Sequence, residues 1–268
     1  MKLTYLGTAA AEGFPAVFCH CPYCCEARRL GGKNIRTRTQ ALLNTDLLID
    51  LPADTYAHLL ANRIEGDRIR YLLLTHEHQD HLYPDELKMR AGAYAHGMRA
   101  PELEVFCSRG VAARIGRAPL NTSLTVLAPY EEIALGGYRV TALPARHTEN
   151  ALIYLIEEGD RALLWAHDTG FFYPEVIDWL AERKVRLDAI SLDCTHVELP
   201  IGDEGRHMGL PNIARLLSRL CERGTVTDAT AVYINHFSHN ANPLHERLVA
   251  LASPLGYRVA YDGLSVTL

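Results

Sequence analysis

Residues 76–81 read His76-Glu77-His78-Gln79-Asp80-His81, so three imidazoles and the Asp80 carboxylate fall within six positions, directly after the apolar run Tyr71-Leu72-Leu73-Leu74-Thr75. A short Leu-rich run of this kind reads as a strand buried on both faces, which requires a sheet covered on both sides. The ligands then sit where that strand empties into a loop. Side chains at i and i+2 of extended chain face the same way, so His76 and His78 can share one metal. Asp80 and His81 follow where the chain turns toward a helix start at Leu82-Tyr83-Pro84-Asp85-Glu86-Leu87, and can serve a second metal nearby. A solvated loop is the ordinary setting of a lone histidine. With 13 histidines in 268 residues, the pattern His-x-His-x-Asp-His just past an apolar strand points instead to a dinuclear metal site.

A chain with 48% hydrophobic and 22% charged residues has the makeup of a globular protein. An α/β or layered β design can carry its length as one domain over residues 1–268. The formal net charge of -5 argues against a dedicated nucleic-acid binder, which carries a basic excess, and leaves room for a small phosphorylated substrate in a local basic pocket. The start, Met1-Lys2-Leu3-Thr4-Tyr5-Leu6-Gly7, alternates as a strand without the apolar core or cleavage site of a signal peptide. No stretch has the length of a membrane span. Of seven cysteines, Cys19, Cys21, Cys24 and Cys25 crowd into seven positions, which suits metal binding in a reducing cytoplasm better than a disulfide framework. Oligomeric state is not legible, and a homodimer stays open.

Strand patterns at 2–6 and 41–50 flank the cysteine segment, the second folded at Asn44-Thr45-Asp46. A helix is expected over 54–63, a strand over 69–75, a helix over 86–95, a strand over 102–107 and a short helix over 109–115, while 117–129 reads as irregular. Gly136-Gly137 joins 131–135 to 138–143 as a tight hairpin, and the turn at Gly159 joins 151–157 to 161–166. Helices over 174–183, 210–221 and 243–252 alternate with strands over 189–194, 231–235 and 257–261, and Asp262-Gly263 closes a last hairpin to Leu268. Each half supplies its own sheet and helices, which implies two β layers packed face to face with helices outside.

A dinuclear centre needs a third ligand on the first metal, a bridging carboxylate and another imidazole on the second. His147, Asp168 and His236 each follow an expected strand and supply one candidate for each role. Alone, each would pass for capping or turn chemistry. A carboxylate can bridge because its two oxygens bind two metals, whereas a neutral imidazole offers one lone pair. His167 competes with Asp168, but neighbours on extended chain point to opposite sides, which leaves His167 a structural or supporting role.

Gly7-Thr8, His76-x-His78-x-Asp80-His81, His147, Asp168-Thr169 and His236 recur in the order and approximate spacing of the metallo-β-lactamase superfamily, which the chain resembles over essentially its whole length. The resemblance implies an α+β fold, the four-layer αβ/βα sandwich, and a binuclear metallohydrolase with its metals along one edge of the two sheets. Gly13-Phe14-Pro15-Ala16-Val17-Phe18-Cys19-His20-Cys21-Pro22-Tyr23-Cys24 resembles the start of the phosphoribosyl 1,2-cyclic phosphate phosphodiesterase family that assists carbon-phosphorus lyase. That resemblance implies a structural zinc on Cys19, Cys21, Cys24 and, in His236-Phe237-Ser238-His239, on His239. The family's Asp-Cys-Ser-His segment has its counterpart in Asp193-Cys194-Thr195-His196. Three thiolates packed this closely repel one another unless a cation neutralises them. Cys25 is the rival fourth ligand, and Cys107, Cys194 and Cys221 read as buried small hydrophobes.

Two metals can activate a bridging water and polarise a scissile phosphoester, but a leaving alkoxide also needs a proton donor that is not itself a ligand. His207, in the polar loop Glu204-Gly205-Arg206-His207, matches by position the family's general acid, with His196 as the fallback. Asp80 and His207 are thus the expected catalytic residues. Arg36 and Arg38, in the basic segment 33–39, are the expected phosphate contacts. The active-site ions would be zinc, manganese or iron, since imidazole and carboxylate serve all three. The resulting expectation is a phosphodiesterase on a small cyclic or nucleotide-like phosphodiester, with a tRNA 3′-processing type of endoribonuclease and a non-catalytic zinc-binding interaction module as the alternatives.

Overall fold

In the apolar run before the histidine motif, Leu73 packs between two sheets while Leu72 and Leu74 pack outward, the two-sided burial that a strand without polar alternation requires. The computed structural model, which describes residues 1–268, builds two sheets of seven strands each. In chain order the strands are β1 (Lys2–Gly7), β2 (Gln40–Leu43), β3 (Leu47–Ile49), β4 (Tyr71–Leu74), β5 (Leu103–Cys107), β6 (Thr122–Val126) and β7 (Glu132–Leu135). There follow β8 (Tyr138–Pro144), β9 (Leu152–Glu158), β10 (Arg161–Ala166), β11 (Ala189–Asp193), β12 (Ala231–Asn235), β13 (Arg258–Val259) and β14 (Ser265–Thr267). The first sheet runs β14-β1-β2-β3-β4-β5-β6 and the second β13-β12-β11-β10-β9-β8-β7. Parallel pairing covers β3 to β6 in the first and β10 to β13 in the second.

The helices are α1 (Pro22–Leu30), α2 (Thr55–Ala61), α3 (Asp85–Lys88), α4 (Arg109–Ile115), α5 (Pro174–Glu182), α6 (Leu210–Glu222) and α7 (His245–Ala252). Val176 of α5, Leu216 of α6 and Leu248 of α7 pack on the outer face of the second sheet, beside Leu164 and Ile190. Leu87 of α3 and Val111 of α4 pack on the outer face of the first. Between the sheets lie Tyr5, Leu43 and Ile49 from one side and Tyr154, Trp165 and Tyr233 from the other. This is the α+β four-layer αβ/βα sandwich. No helix is long and apolar enough to cross a membrane.

Four elements differ from expectation. β6 lies inside the stretch read as irregular: it is an edge strand with no fully buried residue, so hydrophobic alternation has nothing to report. The helix expected over 86–95 ends at Lys88, and the chain continues through Gly92 in a left-handed conformation (φ 62°). Asp262-Gly263 closes no hairpin, because β13 joins the second sheet beside β12 while β14 pairs antiparallel with β1 in the first. Each half therefore does not complete its own sheet. Cys221 is exposed on α6, whereas Cys107 and Cys194 are buried.

Candidate metal centre

The edge where the parallel strands end is where a sheet fold presents ligand groups, and the ends of β4, β10, β11 and β12 carry the chemistry here. Thr75 donates its amide and its hydroxyl to Asp50 Oδ1, each at 2.9 Å. The His81 amide then bonds to the His78 carbonyl at 3.0 Å, closing the turn that gathers the motif. His76 Nε2, His78 Nδ1 and His147 Nε2 converge as one donor group, with His147 Nε2 3.0 Å from His78 Nδ1. Asp80, His81, Asp168 and His236 converge as a second. Asp168 faces both: its Oδ2 is 3.2 Å from His76 Nε2 and 2.5 Å from His81 Nε2, while its Oδ1 is 3.2 Å from His236 Nε2.

The tautomers are fixed from outside. Carboxylate and carbonyl oxygens only accept, so His81 Nδ1 donates to Asp50 Oδ2 (2.7 Å) and His147 Nδ1 to the Arg206 carbonyl (3.2 Å). The Thr75 and Thr195 hydroxyls give their hydrogens to Asp50 and to the His236 carbonyl, which leaves their oxygens to accept from His76 Nδ1 (3.0 Å) and His236 Nδ1 (2.9 Å). All four rings thus keep the Nε2 lone pair for the centre. His76, His81 and His236 Nε2 and both Asp168 oxygens are buried and make no hydrogen bond. Buried polar atoms pointed at one another without hydrogens between them fit a divalent cation, and the imidazole and carboxylate set suits zinc, manganese or iron.

Backbone strain concentrates at the same residues: Asp50, Asp168 and His236 all take left-handed φ (63°, 49° and 61°), which costs on the order of 1–2 kcal/mol per non-glycine residue. Gly7 answers a different need. A Cβ there would fall 1.9 Å from the Arg38 carbonyl, in the loop whose Thr8 carbonyl receives the Phe237 amide next to His236.

His207 stands beside the centre with its Nδ1 2.8 Å from Asp193 Oδ2 and 3.3 Å from Asp168 Oδ1, and its ring stacks on His236. Burial opposes its charge, yet Asp193, then Asp168 and Asp80, lift its pKa to about 9. His196 is half-buried and outside the converging groups, its ring 5.9 Å from that of His207. His167 is buried and bonds Ser191 Oγ at 2.7 Å.

Cys19, Cys21, Cys24 and His239 form a third convergent group, with the Cys21 and Cys24 sulfurs 3.9 and 3.6 Å from His239 Nδ1. Backbone amides of Ala16, Cys21 and Cys24 point at the Cys24, Cys19 and Cys21 sulfurs. The Cys24 amide draws the Cys21 thiol down to about 6, while burial pushes Cys24 up to about 12, so a full set of thiolates here calls for a cation. Cys25 points away, its sulfur 3.5 Å from His20 Nδ1.

Arg36 and Arg38 require correction as substrate contacts. Arg36 is 2% exposed and its guanidinium is spent on Thr8 Oγ1 (2.9 Å), the Ala260 carbonyl (2.7 Å) and the face of Phe237. The Arg38 guanidinium is paired with Asp54 at 3.1 Å and with the Ala11 carbonyl at 2.9 Å. Both brace loops rather than offer a free cation. Sequence reasoning assigned no role to Asp50, Asp193 or Thr195. Asp50 and Asp193 carry the same signal as Asp168, a carboxylate at the end of an apolar strand.

Residues 45–237 match the family model described as a beta-lactamase superfamily domain. That span includes every residue of the two histidine groups and none of Cys19, Cys21, Cys24 and His239. Zinc-bound PqqB from Methylobacterium extorquens is similar at a TM-score of 0.76 with 19% identity, 100% of each chain being covered. A diphosphatase from the PhnP family is similar at 0.75 with 22% identity, over 99% of this chain and 96% of that one. Human tRNase Z, short form, gives 0.67 with 16% identity over 100% and 99%. At such identities these likenesses show the fold. An 86-residue stretch is 38% identical to part of an octanoyltransferase from Porphyromonas gingivalis, covering 31% of this chain and only 16% of that protein's length. With the family model matching 45–237 and the four-layer fold carrying two convergent His/Asp groups, the chain belongs to the metallo-β-lactamase superfamily of hydrolases.

Proposed function

We propose that this hydrolase is a metal-dependent phosphodiesterase acting on a small phosphodiester, cyclic or nucleotide-like. The observation that carries the reading is His207. Asp193 Oδ2 lies 2.8 Å from its Nδ1 and favours the protonated ring, and the two groups His76, His78, His147 and Asp80, His81, Asp168, His236 converge without it, so its Nε2 proton would be free for a leaving group. A leaving alkoxide needs such a donor, whereas a thiolate leaving group does not. Divalent ions bound by the two groups would supply Lewis acidity and a water of lowered pKa. Asp168 would hold both ions in register, Asp80 and His81 would complete the second site, and His207 would pass its Nε2 proton to the departing oxygen.

Against a nuclease of the tRNA-processing type stand the net charge of -5 and the lack of a basic Gly/Pro-rich arm in the sequence. The clustered free thiols fit the cytoplasm, and a separate, structural zinc on Cys19, Cys21, Cys24 and His239 would brace the loop that carries His236. The test is a panel of phosphodiesters, thioesters and lactams on protein loaded with manganese or zinc, with elemental analysis. Phosphodiesters should turn over best. In His207→Ala, hydrolysis with an alkoxide leaving group should fall about 10²–10⁴-fold and with p-nitrophenolate far less. Preference for a thioester, or no phosphodiester turnover, would overturn the reading.

A further inference from the structure

Arg146 immediately precedes His147, and the structure makes it a junction of three loops. Its amide donates to Thr169 Oγ1 at 3.0 Å and its carbonyl accepts from the Gly170 amide at 3.0 Å, so the His147 turn is laced to the turn that follows Asp168. Its guanidinium, 17% exposed, donates from Nε to the Phe171 carbonyl at 3.0 Å and lies over the Tyr173 ring. Nη1 reaches Glu204 Oε2 at 2.5 Å.

Glu204 lies in a loop whose neck is closed by the His196 amide on the Met208 carbonyl (3.0 Å) and the Leu210 amide on the Val197 carbonyl (2.6 Å). The loop ends at His207, and the carbonyl of Arg206 within it receives His147 Nδ1. It also rests on the turn below. A Cβ on Gly170 would lie 1.7 Å from the Gly205 carbonyl oxygen, so only a glycine lets the two backbones meet. Val197 at the neck has φ 49°, a conformation that a β-branched residue holds only under outside constraint.

We propose that Arg146 is a positioning residue: through Phe171 and Glu204 it seats the 198–207 loop on the Asp168 turn, and so sets His147 against its metal and His207 against the substrate. Its effect on turnover rests on the role proposed for His207; its effect on the loop and on metal binding does not. An exposed ion pair is a weak fastening, whereas the Nε bond and the stacking on Tyr173 are sheltered. The two parts therefore separate by substitution.

Glu204→Gln, Arg146→Lys and Arg146→Met would be compared with wild type as metal-loaded protein. The readouts are amide hydrogen exchange over 198–206, manganese affinity by chelator competition, and the rate ratio between a cyclic nucleotide and bis(p-nitrophenyl) phosphate. Glu204→Gln should speed exchange about threefold to fivefold, as loss of an exposed pair allows, with metal affinity unchanged. Arg146→Met should speed it further and weaken manganese about tenfold, the usual effect of removing a supporting partner. Arg146→Lys should slow exchange relative to Arg146→Met through its charge, without restoring the affinity.

Loss of cyclic-nucleotide turnover greater than that of the nitrophenyl ester should accompany faster exchange. Wild-type exchange and affinity in Arg146→Met would overturn the proposal. If that variant fails to fold, wild-type exchange in Glu204→Gln overturns it instead. Absence of any phosphodiester turnover would count against the phosphodiesterase reading while exchange and affinity still decide the role of Arg146.

Discussion

Replacing Asp50 by asparagine removes one charge and puts a donor where the structure has room only for acceptors. Asp50 is fully buried; its Oδ1 accepts the Thr75 amide and hydroxyl, and its Oδ2 faces His81 Nδ1. An asparagine NH2 turned toward Thr75 leaves the Thr75 amide facing another donor. An unpaired buried donor costs about 1–3 kcal/mol. Turned toward His81 instead, the NH2 forces the imidazole proton onto Nε2, the atom that lies 2.5 Å from Asp168 Oδ2. That tautomer cannot ligate, and losing such a partner weakens metal binding about 10- to 100-fold, or about 1.4–2.7 kcal/mol. Only the ion on the Asp80, His81, Asp168 and His236 group should suffer. Urea denaturation of metal-free protein reads the first cost, and chelator competition with elemental analysis reads the second. Asp50→Asn protein with wild-type metal-free stability and two ions held at wild-type affinity would refute the reasoning.

Burial pushes His58 down to about 4 from 6.5 against the pull of Asp54, while its ring bonds Gln40 Oε1 and Thr37 Oγ1, each at 2.6 Å. Burial thus favours the neutral ring in the folded protein, while the unfolded chain protonates it below 6.5, so its contribution is complete above that pH and lost as pH falls toward 4. Urea stability of wild type relative to His58→Gln should therefore drop by about 2 kcal/mol between pH 8 and pH 5; a difference flat with pH would contradict this. Arg36→Met should lower stability by about 2–4 kcal/mol, because the Thr8 hydroxyl and Ala260 carbonyl lose a buried partner. Its KM should stay within about twofold of wild type, since a guanidinium that never reaches solvent binds no substrate; a large rise in KM would restore Arg36 as a substrate contact.

Much of the site could be read from the chain because its candidate ligands stand at, or in the turns just past, the ends of apolar strands. His76 and Asp168 follow β4 and β10 after one intervening residue, His236 follows β12 directly, and a strand end fixes both the position and the facing of its next residues. His147 follows β8 by a short turn. Less legible were the residues that act on ligands. Asp50 sits 31 positions before His81 and Thr195 sits 41 before His236, and only strand order brings them together. The arginines misled for the same reason: Arg36 lies in a basic segment, yet the packing of the Thr8 and Ala260 loops takes its side chain inside. β6 escaped because an exposed edge strand has no buried face, and Asp262-Gly263 because a turn motif cannot report that its two strands serve different sheets.

The sequence by itself determined which histidines and aspartates are candidates to converge, the alternation of strands and helices, and the clustering of the cysteines, since these depend on residue type and near-neighbour spacing. Tertiary structure alone decided which nitrogen of each imidazole is free, which carboxylate faces both donor groups, and why His207 rather than His196 stands at the centre. Apart from Thr75 beside His76, those outcomes are set by groups tens of positions or more apart in the chain. Tautomer and charge answer to the nearest hydrogen-bond partner in space, and no local pattern encodes that partner.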